Sequence, residues 1–191
     1  MNSDTIAAVS TAMSPAGIGI VRISGAEAFD IADQIYDSGT KKKKKLSEQP
    51  SHTIHYGFIV DGEEVIDEVL VMLLRGPRSY TAEDTVEINC HGGVLLTKRV
   101  LEAVLHAGAR MAEPGEFTKR AFLSGRIDLS EAEAVMDLIQ AKNQFSMQAS
   151  IKQLRGSVAE KVKSLRAALL YEIAFIESAL DDPEHISVDG Y

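Results

Sequence analysis

Cysteine is almost absent from this chain, and tryptophan is wholly so: the 191 residues hold Cys90 and no other thiol. One cysteine makes no internal disulfide and no thiolate zinc cage, and it suits a reducing cytosol. Long apolar runs are missing too. The longest, Val69 to Leu74, falls far below the roughly 20 residues of a membrane span, and the opening Met-Asn-Ser-Asp has neither the basic nor the apolar region of a secretory signal. No membrane association is expected. Positive charge is in the minority, with 20 Lys and Arg against 28 Asp and Glu and a net charge of −8, which argues against an autonomous nucleic-acid binder. No G-x-x-x-x-G-K-[ST] occurs, so the sequence offers no Walker A phosphate cradle, and Gly17-Ile-Gly19 lacks the third glycine of a dinucleotide fingerprint. His52, His55, His91, His106 and His185 form no H-E-x-x-H or comparable set, so no metal site is expected.

What is present is the composition of a globular protein, 45% apolar and 25% charged, with enough chain for one domain or one and a half. Thr5–Val9 and Ile18–Ile23 read as strands around the loop Ser14–Gly17, the second nearly apolar on both faces except for Arg22. A charge in that setting needs a partner. Ala28, Phe29, Ile31, Ala32, Ile35 and Tyr36 recur at helical spacing, and Ser38–Ser51, with its run Lys41–Lys45, reads as a solvated surface loop. His52–Val60 and Val65–Leu74 flank the turn pair Asp61-Gly62 and predict a hairpin. Asp84–Cys90 alternates as a strand with Glu87 on the polar side, and His91-Gly-Gly93 then opens a helix that ends near Gly108. After a brief strand at Ala109–Ala112, Pro114 suits the first turn of a helix over Gly115–Leu123.

The rest of the chain is helical in pattern. Ser130-Glu-Ala-Glu133 has capping-box spacing and predicts a helix from Ser130 to about Lys142. Ile151, Leu154, Val158, Val162, Leu165, Leu169, Ile173, Ile176 and Leu180 recur in steps of three or four, predicting one unbroken helix from Asn143 to about Leu180. At about 1.5 Å per residue that helix runs roughly 55 Å, with an apolar stripe the sequence supplies nothing to cover. Either the chain is a fragment or the stripe is an interface.

Few residues here suggest chemistry. Cys90 reads as a small buried residue, and His91-Gly-Gly93 at a helix start suits an anion or, equally, a turn with a satisfied histidine. Arg22, Glu87, that His91-Gly-Gly93 turn and Arg126 are the isolated polar groups that remain. A guanidinium clamps a carboxylate, and a glutamate accepts the paired N–H donors of an amidine-like ring edge, so together they suit a ligand with an anionic tail and an aminopyrimidine-type head. The alternative is a structural ion pair between Arg22 and Glu87.

Six blocks resemble one family in order: Asp4-Thr-Ile-Ala-Ala8, Gly17 to Gly25, Arg78-Ser-Tyr-Thr-Ala-Glu-Asp84, Val86 to Gly93, Pro114 to Leu123, and Arg126 to Ala134. The resemblance is to the amino-terminal part of the MnmE (TrmE) tRNA modification GTPases and covers nearly the whole chain. It implies an α+β fold: a mixed-sheet folate-binding and dimerisation domain over residues 1–124, then the first helices of an all-α domain over 125–191. It further implies that Arg22, Glu87 and Arg126 contact 5-formyltetrahydrofolate or a related tetrahydrofolate. Relatives often carry lysine at the last position, and Arg126 keeps the charge with a different geometry. GTP, magnesium and potassium would belong to a G domain following this chain. The resemblance implies a cytoplasmic homodimer working with the flavin-dependent protein MnmG on C5 of the wobble uridine of tRNA. A pure assembly module, in which Arg22 and Glu87 are only an ion pair, is the competing reading; direct tRNA binding through the lysine loop is disfavoured by the net charge.

Overall fold

The computed structural model describes residues 4–40 and 44–181. Lys41 to Lys43, Asp182 and His185 lie outside the described residues. The chain divides into two compact units, Met1–Arg126 and Ile127–Tyr191, so Arg126 closes the first.

The first unit is a seven-stranded mixed sheet. Its strands are β1 (Ile6–Val9), β2 (Ile18–Ser24), β3 (Tyr36–Asp37), β4 (Thr53–Asp61), β5 (Glu64–Leu74), β6 (Thr85–His91) and β7 (Arg110–Met111), in the spatial order β3-β4-β5-β6-β2-β1-β7. All neighbours are antiparallel except β1 and β7. Strand alternation sends Val21 and Ile23, Val69, Val71 and Leu73, and Val86 and Ile88 to one face, where they are buried in one cluster with Phe29, Ile31 and Ile35 of α1 (Ala28–Ile35) and Val100, Leu101 and Val104 of α2 (Val94–His106). The other face is open: Ile18, Ile54, Tyr56 and Leu70 are exposed. On that face β2 is exposed at Ile18 but half-buried at Ile20 and Arg22, so the two-sided burial its apolar run suggests is realised only in part.

Two local expectations shift in register. Asp61 pairs with Glu64, so the hairpin loop is Gly62-Glu63, one residue beyond the anticipated pair. Gly62 takes φ 62°, the left-handed conformation the first loop position demands and a residue without Cβ adopts freely. Pro114 precedes the N-cap Gly115 of α3 (Glu116–Leu123) and lies outside its first turn.

The second unit holds α4 (Leu129–Gln140), α5 (Gln144–Leu154) and α6 (Ser157–Asp181). The capping box is made by Asp128, not Ser130: Glu131 N–H donates to Asp128 Oδ1 at 2.8 Å, and Asp128 N–H returns a bond to Glu131 Oε2 at 2.8 Å. Aspartate outcompetes serine here because its charge also favours the positive helix end, and Ser130 Oγ donates to Asp128 instead. The single long helix is corrected to two. Gly156, at φ 77°, ends α5 in a left-handed cap and α6 starts afresh. The apolar spacing runs through the break without a slip, which hides it from periodicity. Val162, Leu165, Leu169, Ile173, Ile176 and Leu180 of α6 are all exposed.

Candidate functional site

Arg22 and Glu87 are direct cross-strand partners in the β2–β6 register, on the face opposite to the buried Val21, Ile23, Val86 and Ile88. Such pairs stand close enough to bond. Arg22 Nε donates to Glu87 Oε1 at 2.7 Å, with 24% of the arginine and 12% of the glutamate side chain exposed. The structure thus realises the ion pair, with the carboxylate mostly buried.

Two aromatic residues from elsewhere in the unit stand against the arginine of this pair. The Arg22 guanidinium carbon lies 5.4 Å from the ring centroid of Tyr80, in the β5–β6 loop, and 5.4 Å from that of Phe117 on α3. Arg126, exposed just past α3, sits 5.2 Å from the same Tyr80 ring, and its Nη1 donates to the Tyr80 carbonyl at 3.0 Å. Tyr80 Oη and Thr118 Oγ1 are 2.9 Å apart. Two of the three residues singled out in the sequence, Arg22 and Arg126, therefore meet on one tyrosine, and the third, Glu87, is bonded to Arg22. Tyr80, Phe117 and Thr118 were not among them, although an aromatic residue in the polar loop Arg78–Asp84 was itself a signal.

A buried polar frame fixes the loop and α3. Ser24 Oγ lies 2.6 Å from Thr81 Oγ1 and donates to Glu83 Oε2 at 2.8 Å, while Gly25 and Gly76 N–H groups donate to the carbonyl and side chain of Asp84. Arg120 Nη2 donates to Asp4 Oδ1 at 2.9 Å and Glu116 Oε1 at 3.1 Å, and its Nη1 donates to Glu83 Oε1 at 3.2 Å. Arg110 completes the cluster at 2.7 Å from both Asp4 and Glu116. Its hydrogen bond holds the Glu116 carboxyl down at about 2, so the pair stays charged throughout the physiological range.

The other sequence motifs resolve into packing. His91 donates from its backbone N–H to Asp67 Oδ2 and from ring Nδ1 to Asp67 Oδ1, both at 2.8 Å, and that carboxylate raises the imidazole pKa. The histidine of the His-Gly-Gly turn is thus the satisfied one. A Cβ on Gly92 would stand 2.5 Å from the Ala16 carbonyl oxygen, which accounts for glycine there without an anion. Burial pushes the Cys90 thiol pKa up, and its Sγ contacts the Gly19 carbonyl at 3.3 Å. Among the described residues no group of His, Cys, Asp and Glu could hold a metal ion, and no helix is long and apolar enough to cross a membrane.

The arrangement is a mostly buried carboxylate held by Arg22, an exposed guanidinium at Arg126, and the Tyr80 ring against both arginines. Comparison with known proteins agrees with that division of the chain. A family model described as GTP-binding protein TrmE N-terminus matches residues 5–126, and one described as MnmE helical domain matches 129–190. The tRNA modification GTPase MnmE of Lachnoclostridium phytofermentans is 61% identical over the whole chain, which covers 42% of that protein. The proteins of the same name from Bacillus subtilis and Enterococcus faecalis are 53% and 51% identical over 97% and 99% of this chain and 40% of theirs. The chain spans about two fifths of the length of the curated relatives it matches. With both of its units matched and relatives above half identity along its full length, the chain belongs to the MnmE (TrmE) family of tRNA modification GTPases, of which it carries the N-terminal and helical regions.

Proposed function

We propose that this chain binds a tetrahydrofolate one-carbon donor, 5-formyltetrahydrofolate or a close relative, as the amino-terminal part of a cytoplasmic enzyme that modifies C5 of the wobble uridine of tRNA. The observation that carries the reading is the meeting of Arg22 and Arg126 on Tyr80, with Glu87 bonded to Arg22. Glu87 accepts the paired N–H donors of the pterin edge, and Arg126 faces the anionic tail. The folate supplies the one-carbon unit; this chain's residues bind and orient it. GTP hydrolysis, with magnesium and potassium, is assigned to a G domain elsewhere in the protein, because no Walker A motif occurs here. A homodimer and a flavin-dependent partner, MnmG, complete the assembly. Self-association is supported by the open sheet face, where Ile18, Ile54, Tyr56 and Leu70 form exposed apolar surface.

Titration calorimetry with 5-formyltetrahydrofolate tests the ligand: saturable heat at one site per chain supports the reading, and none at millimolar folate refutes it. Sedimentation at micromolar concentration tests the dimer, which a monomer in the presence of folate would contradict. The assembly-module reading draws on one specific observation, the 2.7 Å Arg22–Glu87 pair, which needs no ligand to be satisfied. It expects association without folate uptake.

A further inference from the structure

We infer that Tyr80 is a positioning residue of the folate site, a ring that holds Arg22 and Arg126 in place for the ligand. The inference rests on the folate reading above. Arg126 follows the Ser124-Gly125 turn at the end of α3, where its N–H donates to the Ala121 carbonyl at 3.0 Å and its side chain is exposed. An exposed arginine samples many rotamers, and ordering it on binding weakens affinity. Both contacts that order the guanidinium here come from one residue: the Tyr80 ring at 5.2 Å and the Tyr80 carbonyl at 3.0 Å.

Arg22 depends on the same ring. Its Nε is committed to Glu87 at 2.7 Å, and its guanidinium carbon lies 5.4 Å from the centroid of Tyr80 and 5.4 Å from that of Phe117. Two cations therefore stand within 5.4 Å of one aromatic ring, an arrangement that like charges resist and that the negative face of the ring offsets. Tyr80 is itself held fast. Its hydroxyl meets Thr118 on α3 at 2.9 Å, and its neighbours Ser79 and Thr81 are buried, with Ser79 Oγ donating to the Glu83 carbonyl and Thr81 bonded to Ser24. The ring thus transmits the rigidity of the buried polar frame to two groups that face the ligand. A pocket with both cations already in place loses less freedom on binding.

The test is a double-mutant cycle read by calorimetry with 5-formyltetrahydrofolate on the 191-residue chain. Tyr80→Leu should weaken binding about tenfold with the melting temperature within a few degrees of the wild type, and Tyr80→Phe, which keeps the ring, should restore affinity to within about threefold. Arg126→Gln should weaken binding on its own and add less than about twofold in the Tyr80→Leu background, since the arginine is then no longer placed. In the ligand-free protein, the Arg22 and Arg126 side-chain resonances should both move in Tyr80→Leu as the ring current is lost. Should Tyr80→Leu fail to fold, Thr118→Val frees the hydroxyl alone and is expected to cost about two- to threefold, with no further loss when combined with Tyr80→Phe. Folate binding that is unchanged in Tyr80→Leu or Thr118→Val, or losses for Tyr80→Leu and Arg126→Gln that multiply, overturn the inference. A wild type that takes up no folate, while the arginine resonances still respond to Tyr80→Leu, refutes the folate reading and leaves the ring's hold on the arginines standing.

Discussion

The two units spend similar apolar sequence in opposite ways. In residues 4–126 the alternating strands bury one face beneath α1 and α2, so Ile23, Ile88, Val100 and Val104 have essentially no exposure. In α6 the apolar residues are as regular, yet none is buried. Amphipathic period therefore marks a segment as helical or extended but not whether it is covered, and burial decides which segment is stable by itself. The first unit has a continuous buried core; the second, among the described residues, presents an exposed apolar stripe.

Substitutions in the two stripes put that contrast to the strongest test. Ile88→Ala should cost about 2–5 kcal/mol in urea unfolding, as buried large-to-small changes do, whereas Leu169→Ala on α6 should stay within about 0.5 kcal/mol, the range of exposed sites. Equal losses at both positions would break the comparison. Next in size is Glu116→Ala, which takes from the buried Arg120 one of its three carboxylate partners and from Arg110 one of its two, and should destabilise the first unit by about 1.5–3 kcal/mol. The sign with pH follows from a carboxyl depressed to about 2: the contribution of Glu116 is complete above its ordinary value near 4.5 and fades as pH falls towards 2. Acid titration followed by near-ultraviolet circular dichroism checks it, and loss of the dependence in Glu116→Gln assigns it.

How far the sequence was legible follows the same division. The hairpin, the β6 strand and the α2 start are carried by local rules, alternation and a breaking glycine, and they appear within a residue or two of the expected places. Arg22 opposite Glu87 was open to suspicion because a lone charge in an apolar strand must be met, and the register meets it. Tyr80 and Phe117 come from a loop and a helix that no local pattern brings to β2; only the tertiary frame built by Arg110, Glu116 and Arg120 does so. Gly156 was hidden for a different reason, since a left-handed cap that keeps the apolar phase leaves no mark on the period.

Two smaller effects sharpen the contrast further. Asp128→Ala removes the α4 capping box and should cost the second unit about 1 kcal/mol, visible as faster amide exchange at the start of that helix. Asp128→Asn should recover most of it. On the first unit, His91 carries a raised pKa because Asp67 accepts from its ring. Its contribution is complete below its ordinary value near 6.5 and disappears as pH rises through the higher value of the folded state. His91→Gln should flatten the decline of stability with rising pH above about 6.5, as followed by the melting temperature against pH.

The central claim is that the Arg22–Glu87 pair with Arg126 forms a ligand site and is more than a structural brace. Its most direct test is one paired measurement on Glu87→Gln, which keeps the size of the side chain and removes its charge: folate affinity by calorimetry and the melting temperature without folate. The account predicts an affinity loss of about 1.5–3 kcal/mol, the range of a charge-assisted hydrogen bond, with a melting temperature displaced by a few degrees at most. A large fall in melting temperature with folate affinity intact in the folded fraction would contradict it, and would make the pair a brace in an assembly module.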